Sequence, residues 1–247
     1  MLGRDHALSG AVIFATAAPA LDPGLGVVQL LAGAALTAGA AVLPDIDHPD
    51  ATISRSFGFL TRSFAWAVEK ASGGHRHGTH SLVGVAVFTA GVAAAAAWAW
   101  RSSQDWYSAR PPAFAGPGWH DLPAAAVTVL LLAAALRALK IGGHSADLIA
   151  VGLTIAFTWL DPLRLLQALP PATVVGCTTH IAGDALTHGG CPLLWPFSRR
   201  EFHLLPRRAR FTTGRLVERG LVSPLLLAAL GIALARDVHV LRHLWAA

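Results

Sequence analysis

The sequence predicts an all-α fold, a polytopic helical membrane protein of about 5–7 membrane segments with a metal site at one membrane face. Three observations predict it. Hydrophobic residues make up 54% of the 247 positions and charged residues only 13%, where ordinary soluble domains are about a quarter charged. The mean hydropathy of +0.52 comes largely from long Ala and Leu runs, more apolar surface than one soluble core hides. Aromatics are only 8%, with a single Tyr, which argues against a porin-like barrel with aromatic girdles and leaves helices as the way to satisfy backbone groups in lipid. The chain reads as one integral membrane domain, 1–247.

The elements follow in order. Apolar stretches run from Ala7 to Leu21, Leu25 to Leu43, Leu82 to Trp100, Leu122 to Leu139, Leu148 to Leu160, Ala172 to Leu186 and Leu221 to Ala235. A span takes roughly 20 residues, so the first, fifth and seventh are tilted, partly re-entrant or extended by polar ends. The first run follows Arg4 and reaches Ala18-Pro19-Ala20, a pattern shared with signal peptides. Asp22-Pro23-Gly24 turns straight into the second run, which favours a helical hairpin over a processed leader.

Charge orients the segments. Of the 19 Lys and Arg only Lys70 and Lys140 are lysines, and Arg suits phosphate and headgroup contacts. Seven alternating segments put Arg4, loop 44–81, stretch 137–146 and loop 191–220 on one side, with fourteen of the 19 cations. Arg101, Arg110, Arg164, Arg236 and Arg242 fall on the other, so the richer side is expected to face the cytoplasm. Seven of the fourteen lie between Arg199 and Arg219, where they also suit substrate phosphate. No basic stripe interleaved with aromatics is present, so no nucleic-acid partner is expected. Cys177 and Cys191 form neither a CxxC pair nor a disulfide framework.

Ionisable residues gather at the segment ends of the cation-rich side: His6; Asp45, Asp47 and His48; His75, His77 and His80; His144 and Asp147. Such groups at a membrane boundary are costly unless paired or metal-bound. The sharpest pattern is His180-Ile-Ala-Gly-Asp184-Ala-Leu-Thr-His188. Residues four apart on a helix turn only about 40° per step and share a face, and imidazole and carboxylate at that spacing grip divalent ions. His180 and His188 stand roughly 12 Å apart along such an axis, so the pattern implies at least two metals with Asp184 between them as a bridge. In Leu43-Pro44-Asp45-Ile46-Asp47-His48-Pro49, prolines on both sides fix the backbone around two carboxylates and an imidazole. Gly74-His75-Arg76-His77-Gly78-Thr79-His80 suits a loop approaching a ligand, with His80 a metal ligand, Arg76 facing phosphate and His77 shuttling protons. Asp47 or His48 is the expected base or ligand-orienting residue, and His144 with Asp147 are further candidates for orienting ligands. Trp195 to His203 reads as an interfacial loop, its aromatics at headgroup depth and its Arg199 and Arg200 able to capture substrate.

LPDIDHP, HRHGTHSL, HIAGDALTHGG and LLWPFSRREFHLLP occur in this order across most of the chain. Together they resemble the membrane-bound metal-dependent hydrolase family that includes LexA-regulated bacterial inner-membrane proteins. The order of an early His, a PD motif, a later His and HxxxDxxxH is more distantly similar to zinc-dependent phospholipase C and related single-strand nucleases. That likeness implies a trinuclear zinc site in an all-helical frame, with His6, Asp45, His80, His180, Asp184 and His188 as ligands. Glu218, after the family's WPF element, is a further candidate to complete the shell.

The expectation is a hydrolase of the bacterial inner membrane holding two or three divalent ions, zinc first and manganese or iron otherwise. Its substrate would be a phosphoester of a membrane lipid or lipid-linked molecule. An amide or ester hydrolase acting on a lipid, and a non-catalytic metal-binding or transport protein, are the other readings. A transporter would place its ligands nearer the bilayer midplane. A serine triad is disfavoured because no GxSxG occurs.

Overall fold

The computed structural model describes residues 1–108, 122–160 and 162–245. All seven apolar stretches become helical, joined by one helix the sequence reading did not anticipate. The helices are α1 (Gly3–Leu21), α2 (Val27–Ala40), α3 (Phe59–Ser72), α4 (Leu82–Ser108), α5 (Leu122–Ala138), α6 (Ala146–Leu160), α7 (Pro162–Ala185) and α8 (Ser223–Trp245). Among the described residues no strand forms, only isolated bridges pairing Thr187 with Phe211 and Cys191 with Phe202.

Among the described residues four segments are long and apolar enough to cross a membrane: Val27–Asp47, Leu82–Ser102, Gly143–Leu160 and Glu218–Arg236, with Leu122–Ala138 shorter. The architecture is polytopic and all-helical. The α2 segment is 67% buried, against 22% or less for the other three. It is therefore the hub, packed by α1, α5 and α7, while α4, α6 and α8 turn most of their apolar surface outward.

Small residues let the hub helices approach, as close backbone contact in lipid requires. A Cβ on Gly176 of α7 would lie 2.6 Å from both the Ala40 Cβ and the Ala41 amide of α2. The α1–α2 hairpin closes at Asp22, whose carboxylate accepts the Gly24 amide at 3.0 Å. Asp22 also lies 3.8 Å from Arg164, so two residues expected on the cation-poor side do meet. The opposite loops are tied as well. Arg137 donates twice to Asp147, at 2.8 and 2.6 Å, and once to the Ser56 carbonyl at 3.2 Å. Asp147 thus anchors a loop rather than orienting a ligand. Arg110 lies outside the described residues.

Candidate metal centre

Four segments deliver side chains to the end of the bundle that carries those tied loops. His6 sits in the first turn of α1, and His180 and Asp184 share a face in the last turns of α7. Asp45 sits in the 3-10 turn Leu43–Asp47 that ends the α2 segment, where Pro44 lacks the N–H to continue an α-helix. His80 closes the 3-10 turn Gly78–His80, just before Ser81 caps α4 by accepting the Gly84 amide at 3.2 Å. The result is two sets of ligand atoms, His6/His180/Asp184 and Asp45/His80/His180, each set within 4.8 Å of itself and joined through His180. All but Asp45 are buried.

The chain itself fixes which imidazole atoms face inward. His180 donates Nδ1–H to the Ala41 carbonyl at 2.8 Å, which turns its Nε2 lone pair into the cluster. The Thr79 hydroxyl donates to Asp47 Oδ2 at 2.5 Å and so accepts from His80 Nδ1 at 3.0 Å, leaving His80 Nε2 facing inward as well. The two Nε2 atoms are 3.1 Å apart. Two lone pairs meet at that distance only around a shared proton or a cation. Asp45 Oδ1 stands 3.5 Å from His80 Nε2 and 3.6 Å from His180 Nε2. Asp184 reaches both sets, Oδ1 at 3.2 Å from His6 Nε2 and Oδ2 at 3.8 and 3.9 Å from His180 and His80. His6 stacks on His180 with centroids 3.8 Å apart, and its buried Nδ1 has no hydrogen-bond partner among the described residues. Imidazole and carboxylate donors so placed fit divalent ions such as zinc.

Burial alone would lower the His80 pKa, but hydrogen bonds and charge from Asp45 and Asp47 outweigh it and hold the imidazole at about 9. Two further cations compensate Asp184: the Met1 amine is ion-paired with it, and the Arg76 guanidinium lies 3.6 Å from Oδ2. Arg76 adopts φ +62°, and a Cβ on Gly189 would overlap its guanidinium.

Other expected site residues fall outside the two sets. The helix stops at Ala185, so the helical face predicted to carry His188 ends before reaching it. His188 is exposed, its amide bonded to the Phe211 carbonyl at 3.1 Å. Glu218 is buried but accepts the Leu2 amide at 2.6 Å and the Gly214 amide at 2.5 Å, clasping the start of α1. Asp47 spends both oxygens on the 75–79 loop, accepting His75 Nδ1–H at 2.8 Å, the Arg76 amide at 3.0 Å and Thr79. It holds the loop and orients His80. His48 accepts the Asp50 amide on Nδ1 and meets His75 edge-on at 4.8 Å.

A cavity of about 260 Å³ adjoins the centre, lined by His75, Arg76, His77, Arg199 and Glu201 with the backbone of Gly189 and Gly190. His77 Nδ1–H donates to the His75 carbonyl at 3.1 Å. Arg199 lines this cavity while Arg200 is exposed beside it, its amide bonded to Ser198. Trp195 lies over Gly73 and Gly78 rather than reaching outward, whereas Phe197 is fully exposed in the way expected of an interfacial anchor. Cys191 donates to the Ile181 carbonyl at 3.5 Å, and burial with the nearby Asp184 charge pushes its thiol up to about 12.

Three contributors escaped the sequence reading. Thr79 is a hydroxyl beside a histidine and carries no pattern of its own. The Ala41 carbonyl has no side-chain signal at all. Asp5, buried beside His6, accepts Ser223 at 2.8 Å and leaves Oδ2 without a hydrogen-bond partner among the described residues; the Asp-His pair at the start of α1 was its available sign.

Fold and cluster together define a class: a polytopic helical membrane protein with buried His/Asp groups at one end of the bundle that could hold a metal ion. The chain belongs to the YdjM inner membrane protein family, which it matches over residues 1–240. No curated protein and no solved structure matches it. The family agrees with the inner-membrane part of the resemblance drawn from the motifs; the hydrolase and phospholipase parts rest on the motifs alone.

Proposed function

We propose that the protein is a membrane-embedded, metal-dependent hydrolase that cleaves a phosphoester of a lipid or lipid-linked substrate, with its centre on the cytoplasmic side. The observation that carries the reading is the cationic cavity beside the cluster, with Arg76 touching both. Divalent ions, when bound, lower the pKa of a water and polarise a phosphoryl oxygen. His6, Asp45, His80, His180 and Asp184 would hold them, with Asp184 facing both sets. Arg76 and Arg199 offer forks suited to a phosphate, which favours phosphoester over amide or ester substrates. His77 keeps Nε2 free to take up and release a proton because Nδ1–H is committed to the His75 carbonyl. The position at one bundle end, rather than mid-span, argues against transport.

The test is release of phosphate or headgroup from a panel of phospholipids and lipid phosphates by purified protein, with zinc, manganese or iron and with chelator. The expected result is chelator-sensitive turnover lost in His180→Ala and Asp184→Asn. Absence of turnover under every metal, or turnover indifferent to both substitutions, would overturn the proposal.

A further inference from the structure

Between the two ligand-bearing turns lies α3, whose outer side is exposed. Its inner face is short: Thr61, Ala65, Val68 and Ser72 pack toward the 3-10 turns Leu43–Asp47 and Ile53–Arg55, and Thr61 donates to the Ser54 carbonyl at 2.8 Å. The helix ends in Gly73 at φ +85°, where the Gly73 and Gly74 amides both return to the Glu69 carbonyl.

The rest faces outward in two stripes. Leu60, Phe64, Ala67 and Ala71 recur at i, i+4, i+7 and i+11, forming one apolar flank. Arg62, Trp66 and Lys70 recur every four residues on the other flank, with the Lys70 ammonium 3.8 Å over the Trp66 ring. Phe59 is 81% exposed, Leu60 74%, Phe64 57% and Trp66 54%. A helix in water does not keep four large apolar side chains this open beside cations; a helix lying in a lipid interface does, with its cations and Trp at headgroup depth. Arg62 and Arg55 share Asp50, at 3.8 and 3.1 Å, so segment 50–72 keeps three cations against Asp50 and Glu69.

The bilayer edge passes at this level for an independent reason. The C-terminal end of α3 abuts Gly78, four residues before the membrane segment α4 opens with exposed Leu82 and Val83. Lipid contact on α4 therefore continues onto α3.

We infer that α3 is an in-plane membrane-surface helix, sinking Leu60, Phe64, Ala67 and Ala71 into the acyl boundary while Arg62, Trp66 and Lys70 lie among the phosphates of the leaflet nearest the metal centre. Because α3 links the turn carrying Asp45 and Asp47 to the loop carrying His75 and His80, this contact sets the depth at which the cluster meets the bilayer. The inference stands independently of the hydrolase reading.

It is tested on the full chain in liposomes of phosphatidylethanolamine and phosphatidylglycerol, with spin labels on Leu60→Cys, Ser63→Cys or Phe64→Cys; both native cysteines are buried. The labels at 60 and 64 should collide with oxygen several-fold more often than with a water-soluble nickel chelate, and the label at 63 should show the lower ratio. Nickel exceeding oxygen at 60 and 64 would place α3 in water and overturn the inference. Labels reached by neither reagent would mean a second copy or another protein covers the helix, which also overturns it. Arg62→Gln with Lys70→Gln should abolish the dependence of the label depth at 64 on phosphatidylglycerol content; an unchanged dependence would refute the phosphate contacts. If a labelled variant fails to fold, hydroxyl-radical footprinting of the unsubstituted protein reads the same surface. Leu60 and Phe64 should escape oxidation in liposomes, and their ready oxidation would overturn the inference.

Discussion

Asp47→Ala is the substitution from which the account expects most, because Asp47 is fully buried and makes no direct approach to the cluster except through His80. It removes three acceptor contacts, to His75, the Arg76 amide and Thr79. Hydrogen bonds to a charged group contribute about 1.5–3 kcal/mol each. Water replaces the His75 contact, since that side chain is partly exposed, while Thr79 stays buried and loses its acceptor. The net cost is therefore about 3–5 kcal/mol of stability, typical of stripping one partner from a buried charged group. Loss of the carboxylate behind His80 should also weaken metal binding by about 10–100-fold, the usual effect of removing a group that orients a ligand. Competition titration of zinc against a chelator, alongside thermal unfolding in detergent, measures both. Asp47→Asn retains the shape and one acceptor oxygen, so it should keep the fold while still losing affinity. An Asp47→Ala protein with unchanged Tm and unchanged zinc affinity would refute the reasoning.

Two more predictions concern protonation and packing. The His80 pKa, about 9, lies above its ordinary 6.5, so its contribution to the stability of the metal-free protein is complete below pH 6.5 and is lost as pH rises through 9. A metal must displace that proton, so zinc affinity should rise across this window by about tenfold per pH unit; a flat profile would contradict the assignment. Gly176→Ala should cost about 1–3 kcal/mol by forcing α7 off α2, seen as a lower Tm, and an unchanged Tm would deny the close approach.

How much of this was legible in the sequence depended on the kind of signal. The seven apolar runs announced their helices because lipid demands length and apolarity, both of which a linear chain displays. His180 and Asp184 were legible because four-residue spacing maps directly onto one helical face. His188 broke that logic: the face continues only while the helix does, and the helix yields at Ala185 to a loop whose backbone pairs with Phe211. The gathering of His6, Asp45 and His80 at one membrane face was legible from their places at segment ends of the cation-rich side, while their grouping with α7 as one ligand set followed from the family order of motifs, since no local pattern joins the α1–α2 hairpin to His80 and α7. Asp47's three contacts needed the folded loop, and Glu218's two amides needed the start of α1 brought alongside it. The α3 helix was missed because an interfacial helix lacks the long apolar run of a span, although the 60/64/67/71 periodicity was present to be counted.

The most direct test of the central claim, that residues from four segments enclose a divalent-metal centre, is the metal content of the purified protein with its His180→Ala and His188→Ala variants. Elemental analysis should find at least two equivalents of divalent metal in the unsubstituted protein. His180→Ala should lose most of it, because both sets share that imidazole, and His188→Ala should retain it. Substoichiometric metal in all three proteins, or metal lost from His188→Ala but kept by His180→Ala, would contradict the account.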